Sequence, residues 1–97
     1  MQIMELNLGQ FQKSANLLKA IAHPARIAII SILDDGQKLT VTEIHKKIKL
    51  GQSSTSHHLG ILRNLGLLTS LREGRNTYYS LKYSSLLDLV RNISICN

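Results

Sequence analysis

The pattern of apolar and polar positions predicts a two-faced helix in the middle of the chain, over residues 52–65. Thr55, Leu59 and Leu62 recur at helical spacing and form one face, which would hold the helix against a protein body. Small polar side chains and a glycine fall on the opposite face, namely Ser53, Ser56, His57 and Gly60. Either Ser53 or Gln52 is expected to cap the helix start, and Gly66 is expected to end it in a left-handed conformation.

Three further helices and a short strand are predicted before this segment. Apolar positions indicate a helix over 9–22, and Pro24 then suits the first turn of a second helix over 24–34. This second helix is apolar on almost every side, so it should be central and buried. A short strand over 38–41 follows, and Thr42 is expected to cap a helix that ends near Ile48 and turns its Ile44 inward.

A β-hairpin and a last helix are predicted after it. Strands are expected over 67–72 and 76–81, joined by the turn Glu73-Gly74-Arg75. The last helix is expected to begin at Tyr83 or Ser84 and to reach Ile95. The fold class is therefore mainly α, with about five helices and a small β-hairpin wing. This element order, within a single domain over 1–97, is that of a winged helix-turn-helix.

The excess positive charge is confined to one part of the chain. The 97 residues carry a formal net charge of +6, and all of it falls within 38–82, because 1–37 and 83–97 each sum to zero. A solvated basic surface is the simpler interpretation, but the charge coincides with the polar-tipped helix and the hairpin, which favours nucleic acid as the partner.

Composition limits the setting in which the protein works. The single cysteine, Cys96, excludes a disulfide within the chain and fits a reducing compartment. No apolar run is long enough to span a bilayer, and no secretion signal opens the chain. We therefore expect a cytoplasmic protein without a membrane partner, and Cys96 is interpreted as an inert thiol.

Small hydroxyl and amide side chains at a helix start are suited to the DNA major groove. The candidate base contacts are Gln52, Ser53, Ser54, Ser56 and His57. The candidate backbone and wing contacts are Lys46, Lys47, Lys49, Arg63, Arg72 and Arg75. Two alternatives stay open: Ser53 serves only as a helix cap, and the three lysines form only a solvated face. His45 and His58 are interpreted as packed structural histidines.

Four motifs in order resemble the ArsR/SmtB family of bacterial repressors. They are Leu18-Lys19-Ala20-Ile21-Ala22-His23-Pro24-Ala25-Arg26, Gln52-Ser53-Ser54-Thr55-Ser56-His57-His58-Leu59, Leu62-Arg63-Asn64-Leu65-Gly66-Leu67-Leu68 and Arg72-Glu73-Gly74-Arg75-Asn76-Thr77-Tyr78-Tyr79. The resemblance implies a transcriptional regulator, usually a repressor, that is associated with the bacterial nucleoid. Its partner would be double-stranded DNA carrying a pseudo-palindromic operator.

The resemblance also implies a homodimer joined through the first and last helices, over 1–22 and 83–97. Apolar stripes at both ends of a short chain support this independently. The expected interface residues are Phe11, Leu17, Leu18, Leu86, Leu87, Val90 and Ile93. The alternative is that these helices only cover one monomeric core.

No metal or other cofactor is expected. Many members of the family bind metals through a Cys-Val-Cys motif, but the matching residues here are Thr40-Val41-Thr42, and hydroxyls are poor ligands for soft metals. A second family site uses carboxylates and histidines on the last helix, which here offers Asp88 and no histidine. The inducer is therefore not indicated by the sequence.

Two other classes of function compete with that of a DNA-binding regulator. A winged-helix module for a protein or RNA partner is the alternative, but protein contacts need no basic wing, and RNA readers stack bases on exposed aromatic side chains. An enzyme is not expected, because the sequence contains no recognisable nucleophile–base pair, carboxylate dyad or phosphate-binding glycine loop.

Overall fold

Residues 6–33 and 36–95 are described by a computed structural model. In this part of the chain a short 3-10 helix, Leu8–Phe11, leads into five α-helices and three strands. The helices are α1 (Gln12–Ile21), α2 (Pro24–Ile32), α3 (Val41–Ile48), α4 (Gln52–Asn64) and α5 (Ser84–Ile95). The strands are β1 (Leu39–Thr40), β2 (Leu68–Glu73) and β3 (Asn76–Leu81). The predicted winged helix-turn-helix fold is confirmed.

The hairpin is part of a small antiparallel sheet with strand order β1-β3-β2. β2 and β3 pair from Leu68 opposite Leu81 to Glu73 opposite Asn76. Gly74 adopts a φ of 62° in the connecting turn, a conformation that favours glycine. Because β1 pairs with β3 through Leu39 and Tyr79, the middle of β3 is joined to the residues that immediately precede α3.

The core lies around α2, as its apolar pattern predicts. Ile29 and Ile30 are fully buried and contact side chains from the helices and strands around them. The remaining buried members of this core are Ile21, Leu33, Leu39, Ile44, Leu59, Leu62, Leu67, Leu68, Leu86 and Val90. α3, α4 and α5 all pack against α2, so the position of α4 is set by a buried central helix.

Several predicted boundaries were wrong, and the most informative is the start of α3. Thr40, not Thr42, is the N-cap: its hydroxyl accepts from the Glu43 N–H at 3.2 Å, while the Glu43 carboxylate accepts from the Thr40 N–H at 3.0 Å. The extended backbone of β1 ends at Thr40, so the helix begins at the next residue.

The start of α4 was also predicted wrongly. Gly51 is the N-cap, and Gln52 and Ser53 lie inside the helix. The Gly51 carbonyl accepts from the backbone N–H of Thr55 at 3.0 Å and from its hydroxyl at 2.9 Å, which closes the first turn. The prediction for the other end was correct, since Gly66 has a φ of 76°.

The first two helices are shorter than the sequence indicates. The Leu8–Phe11 segment is a 3-10 turn with an Asn7 capping box, so α1 proper begins at Gln12. α2 ends at Ile32 rather than at residue 34, because Leu33 leaves the helical region with a ψ of 72°. Residue 34 itself lies outside the described residues.

Candidate nucleic-acid interface

The inner face of α4 is fixed by three side chains without solvent exposure. Thr55, Leu59 and Leu62 are fully buried, as the helical pattern predicts. The Thr55 hydroxyl donates to the Gly51 carbonyl, so its one buried polar atom is satisfied. α3 contributes the fully buried Ile44 on the other side of the turn. The helix-turn-helix is therefore held on the core by these residues.

The outer face of α4 is exposed along its first two turns. All five predicted base contacts lie there and are solvent-exposed: Gln52, Ser53, Ser54, Ser56 and His57. Because Gly51 is the N-cap, the alternative that Ser53 serves only as a cap is wrong. A Cβ built on Gly60 would meet no atom within 4 Å, so packing within the chain does not require glycine at this position.

The predicted backbone contacts of the helix-turn-helix lie in the last turns of α3 and α4. Lys46 and Lys47 are exposed in the last turn of α3, and Lys49 ends that helix with a φ of 56°. Arg63 is exposed in the last turn of α4. All four of these cations are therefore open to a ligand that approaches the helix-turn-helix.

The two arginines of the hairpin differ in their surroundings. Arg72 Nε donates to the carbonyl of Gly74 at 3.3 Å, so this side chain lies over the turn. Arg75 lies in the turn itself, and among the described residues it makes no ion pair. Lys38 Nζ pairs with the Glu73 carboxylate and lies 4.9 Å from the centre of the Tyr78 ring. The tip of the hairpin therefore presents Arg75 to an approaching ligand.

The two carboxylates of the basic segment 38–82, those of Glu43 and Glu73, both make contacts within the chain. Glu73 pairs with Lys38 at the surface. Glu43 belongs to the capping box of α3, and the hydrogen bonds from the backbone and side chain of Thr40 lower the pKa of its carboxyl below the ordinary value of 4.5. Neither carboxylate lies on α4, so the outer face of that helix stays polar and basic.

His58 is tied to the body by an arginine whose role the sequence did not reveal. Arg26 Nε donates to His58 Nδ1 at 3.2 Å, and Arg26 Nη1 donates to the carbonyl of Ala20 at 2.8 Å. Both side chains are half-buried, which agrees with the interpretation of His58 as a packed histidine. The signal in the sequence is that Arg26 is the one charged residue of the largely apolar segment 24–33. His45 is half-buried too, with Nδ1 3.3 Å from the Leu50 carbonyl.

The terminal helices carry an exposed apolar surface. Side chains of the 3-10 segment, α1 and α5 contribute Leu8, Phe11, Leu18, Leu89 and Ile93, which are between 38% and 89% exposed. A groove of about 390 Å³ runs beside it, lined in part by Leu17, Leu18, Tyr83 and Leu89. Of the predicted interface residues, Leu86, Leu87 and Val90 are buried within this chain. Leu8, Tyr83 and Leu89 are exposed apolar residues outside the predicted set, because helical phase alone does not say which apolar positions the chain itself covers.

The residues at the family's metal positions do not fit a soft metal ion. At the start of α3 the Thr40 hydroxyl is engaged in the capping box, and Thr42 is exposed. Within the described ranges 6–33 and 36–95, no cluster of three or more His, Cys, Asp or Glu side chains has the geometry to hold a metal. Cys96 lies outside these ranges.

No single helix in the described part of the chain is long and apolar enough to cross a membrane. The pair Leu8–Ile21 and Pro24–Ile32 reaches the required length and composition only together, across an 89° bend. Both members carry residues of the buried core, Ile21 and Ile29 among them.

Comparison with known proteins identifies the family. The model of bacterial regulatory proteins of the arsR family matches residues 23–70, which run from the start of α2 through α4 into β2. The chain is 36% identical over 89 residues to a transcriptional repressor SmtB homolog of Synechocystis sp., covering 92% of this chain and 67% of that protein. The chain belongs to the ArsR family.

Relatives and solved structures of ArsR proteins agree in function and fold. The HTH-type transcriptional regulator NmtR of Mycobacterium tuberculosis is 45% identical over 67 residues, 69% of this chain and 55% of that regulator. The transcriptional repressor BigR of Xylella fastidiosa superimposes with a TM-score of 0.76 at 27% identity, covering 94% of this chain and 96% of that one. This ArsR protein is therefore a winged-helix, DNA-binding regulator of transcription, a class of protein that is not enzymatic.

Proposed function

We propose that this chain binds a pseudo-palindromic operator as a homodimer and represses transcription by occluding a promoter. The observation that carries the proposal is the division of α4 into two faces. One is fully buried through Thr55, Leu59 and Leu62, and the other exposes small polar side chains within the basic segment 38–82.

Base reading is assigned to the exposed first turns of α4. A helix of this kind fits the major groove with its N-terminal residues against the base edges. The Gln52 amide can pair with adenine through two hydrogen bonds, and the hydroxyls of Ser53 and Ser56 can serve bases or phosphates. Ser54 and His57 complete the exposed set. These roles make sequence selectivity a property of α4.

Backbone contacts are assigned to the cations around α4. Lys46, Lys47, Lys49 and Arg63 would neutralise phosphates on either side of the groove, a contribution that is independent of sequence and sensitive to salt. At the hairpin, Arg75 is presented at the tip and Arg72 lies over the turn, where both can reach the backbone or the adjacent minor groove. The wing therefore adds affinity more than selectivity.

Dimerisation is assigned to the exposed surface of α1 and α5. The Cα radius of gyration is 15.3 Å, whereas a compact chain of this length would have about 12.5 Å. An extended shape that leaves Phe11, Leu18 and Ile93 about half-exposed is the form expected of a protomer that completes its packing against a second copy. A two-fold dimer would carry two α4 helices to half-sites one helical turn apart or a multiple of it.

The protein-binding or RNA-binding alternative has less support. Tyr78 and Tyr79 are neighbours on β3, so their side chains point to opposite faces of the sheet. Both are also half-buried, and together they form no open platform on which bases could stack. Lys38 lies over the Tyr78 ring.

The expected place of action is the cytoplasm, next to the DNA.

Selection of bound sequences from a pool of random duplex DNA tests the proposal. The expected result is an enriched consensus with two inverted half-sites, which reports base reading and two-fold symmetry together. Enrichment of a single, non-repeated half-site would contradict the dimer. No enrichment over bulk DNA would contradict the assignment of base reading to α4.

A further inference from the structure

The guanidinium group of Arg26 joins α4, the helix proposed to read DNA, to α1 and α2. Arg26, in the first turn of α2, donates from Nη1 to the carbonyl of Ala20 in α1 and from Nε to His58 Nδ1 in α4. Its donors thus reach α1 and α4 at once from a rigid planar group. His58 directly follows His57, the last of the exposed candidate base contacts.

The contact with His58 requires a neutral imidazole. A ring nitrogen that accepts a hydrogen bond carries a lone pair, so the ring proton of His58 must be on Nε2. A second proton would enter at Nδ1, the atom that faces the Arg26 N–H at 3.2 Å. Protonation would therefore place two donors and two positive charges against each other, and the contact would be lost.

The surroundings of His58 reinforce this dependence. Its ring centre lies 4.5 Å from that of His23, at the junction before α2, and 5.7 Å from that of His57. Among the described residues, the charged or titratable groups that act on His58 are His23, Arg26 and His57, all positive when protonated. Partial burial first, and then these three neighbours, lower the pKa of His58 below its ordinary value of 6.5.

We propose that Arg26 and His58 are positioning residues for α4, and that a proton on His58 Nδ1 disrupts the contact and weakens DNA binding in mildly acidic solution. The inference rests on the proposed reading of DNA by α4. Neither side chain needs to touch DNA. Both act by fixing the rotation and depth of the helix that carries Gln52 to His57.

The sign of the pH effect separates this proposal from ordinary electrostatics. Protonation of a histidine that contacts a phosphate adds positive charge at the DNA, so by itself it would strengthen binding in acid. Loss of the Arg26–His58 contact acts in the opposite direction. If His58 had the ordinary histidine pKa and had to be neutral in the complex, its protonation would weaken DNA binding about 11-fold at pH 5.5. The lowered pKa of His58 makes this loss of affinity smaller. We expect a measurable loss from pH 7.5 to pH 5.5 that does not exceed about tenfold.

The experiment measures affinity for one fixed DNA duplex, bound at pH 8, across pH 5.5 to 8 at constant ionic strength. His58→Asn is the test variant, because the asparagine Oδ1 can accept from Arg26 where Nδ1 does and does not titrate. It should bind near the wild-type affinity at pH 8 and lose clearly less affinity in acid than the wild type does. His23→Asn is the matched control: asparagine keeps the helix cap that His23 Nδ1 provides to Ala25, and this variant should retain the acid loss.

A second measurement does not depend on the variants. The ring nitrogen shifts of His58 in the free protein should report the neutral Nε2–H form at pH 7.5, and the backbone amide signals of α4 should move with the titration of His58. An acid loss that persists in His58→Asn, or α4 signals that ignore the His58 titration, would overturn the inference. If DNA binds at pH 8 and the wild type and His58→Asn have the same pH profile, the inference is overturned while the proposed function stands. No DNA binding at pH 8 would refute the proposed function as well.

Discussion

At the scale of single residues, the chain separates side chains that contact DNA from side chains that support them. The exposed arginine and lysine residues around α4 differ mainly in what already engages them. Lys38 is paired with Glu73 at the end of β2, while Arg75 in the turn makes no ion pair with a described residue. Charge alone, which is all that the sequence offers, does not distinguish these two cations.

Arg75→Ala is expected to weaken binding to every DNA sequence by a similar factor. Its removal deletes one phosphate contact per protomer and therefore two in the dimer, so the slope of the logarithm of affinity against the logarithm of salt concentration should become shallower by about two units. Fluorescence anisotropy over a range of salt concentrations measures the slope. Lys13→Ala, an equal loss of charge on exposed α1, is the control and should leave the slope unchanged. An unaltered slope in Arg75→Ala would remove this arginine from the set of contacts.

At the scale of elements, the pattern of apolar residues predicted every helix and the hairpin, and the errors lie at boundaries. Thr42 looked like a helix cap because a threonine preceded the apolar positions of α3. Thr40 has the same side chain, and only the end of the pairing between β1 and β3 decides between them. Likewise, Gly51 caps α4 with its backbone alone, which leaves no side-chain signal in the sequence.

Thr40→Ala should lower the free energy of unfolding by about 1 kcal/mol, because the substitution removes the hydroxyl that caps α3. Thr42→Ala is the matched control, since it removes the same atoms from an exposed position inside the helix. It should change the stability by less than about 0.5 kcal/mol. Urea unfolding followed by circular dichroism measures both. Equal losses in the two variants would contradict the position of the cap.

The same cap predicts an acid dependence of stability. The pKa of Glu43 is lower in the folded chain than in the unfolded one, so its stabilisation is complete above about pH 4.5 and is lost as the pH falls through the folded value. Unfolding midpoints measured from pH 6 to pH 3 should therefore fall less steeply in Glu43→Gln than in the wild type. A Glu43→Gln curve parallel to the wild-type curve would contradict the role of this carboxylate.

At the scale of the whole molecule, most of the candidate interface followed from the sequence, and the supporting contacts did not. The buried and exposed faces of α4 are where helical phase puts them. The contact of Arg26 with His58 joins residues 32 positions apart, and no local pattern reports such a pair. Which apolar residues of the terminal helices are buried and which are exposed depends on the packing of α5 against α2. The periodicity of the sequence does not predict that packing.

The proposed dimer predicts that Leu18→Glu makes the protein monomeric. Leu18 is 55% exposed, so a charge there should leave the chain folded and place an unpaired carboxylate in the interface. Leu71→Glu is the matched control, because Leu71 is also 55% exposed but lies on the hairpin. Sedimentation velocity should show a dimer for the wild type and for Leu71→Glu, and a monomer for Leu18→Glu. A dimeric Leu18→Glu protein would place the interface elsewhere.

The central claim, that the exposed face of α4 reads bases, is tested most directly by a specificity ratio. The measurement compares affinity for the selected operator with affinity for a scrambled duplex, in the wild type and in the triple variant Gln52→Ala, Ser53→Ala, Ser56→Ala. Alanine supports a helix, so the fold should be retained. The account predicts that the ratio falls at least about 100-fold, since each base contact contributes about 1–3 kcal/mol, while the salt slope stays unchanged. A triple variant that still prefers the operator as strongly as the wild type would contradict it.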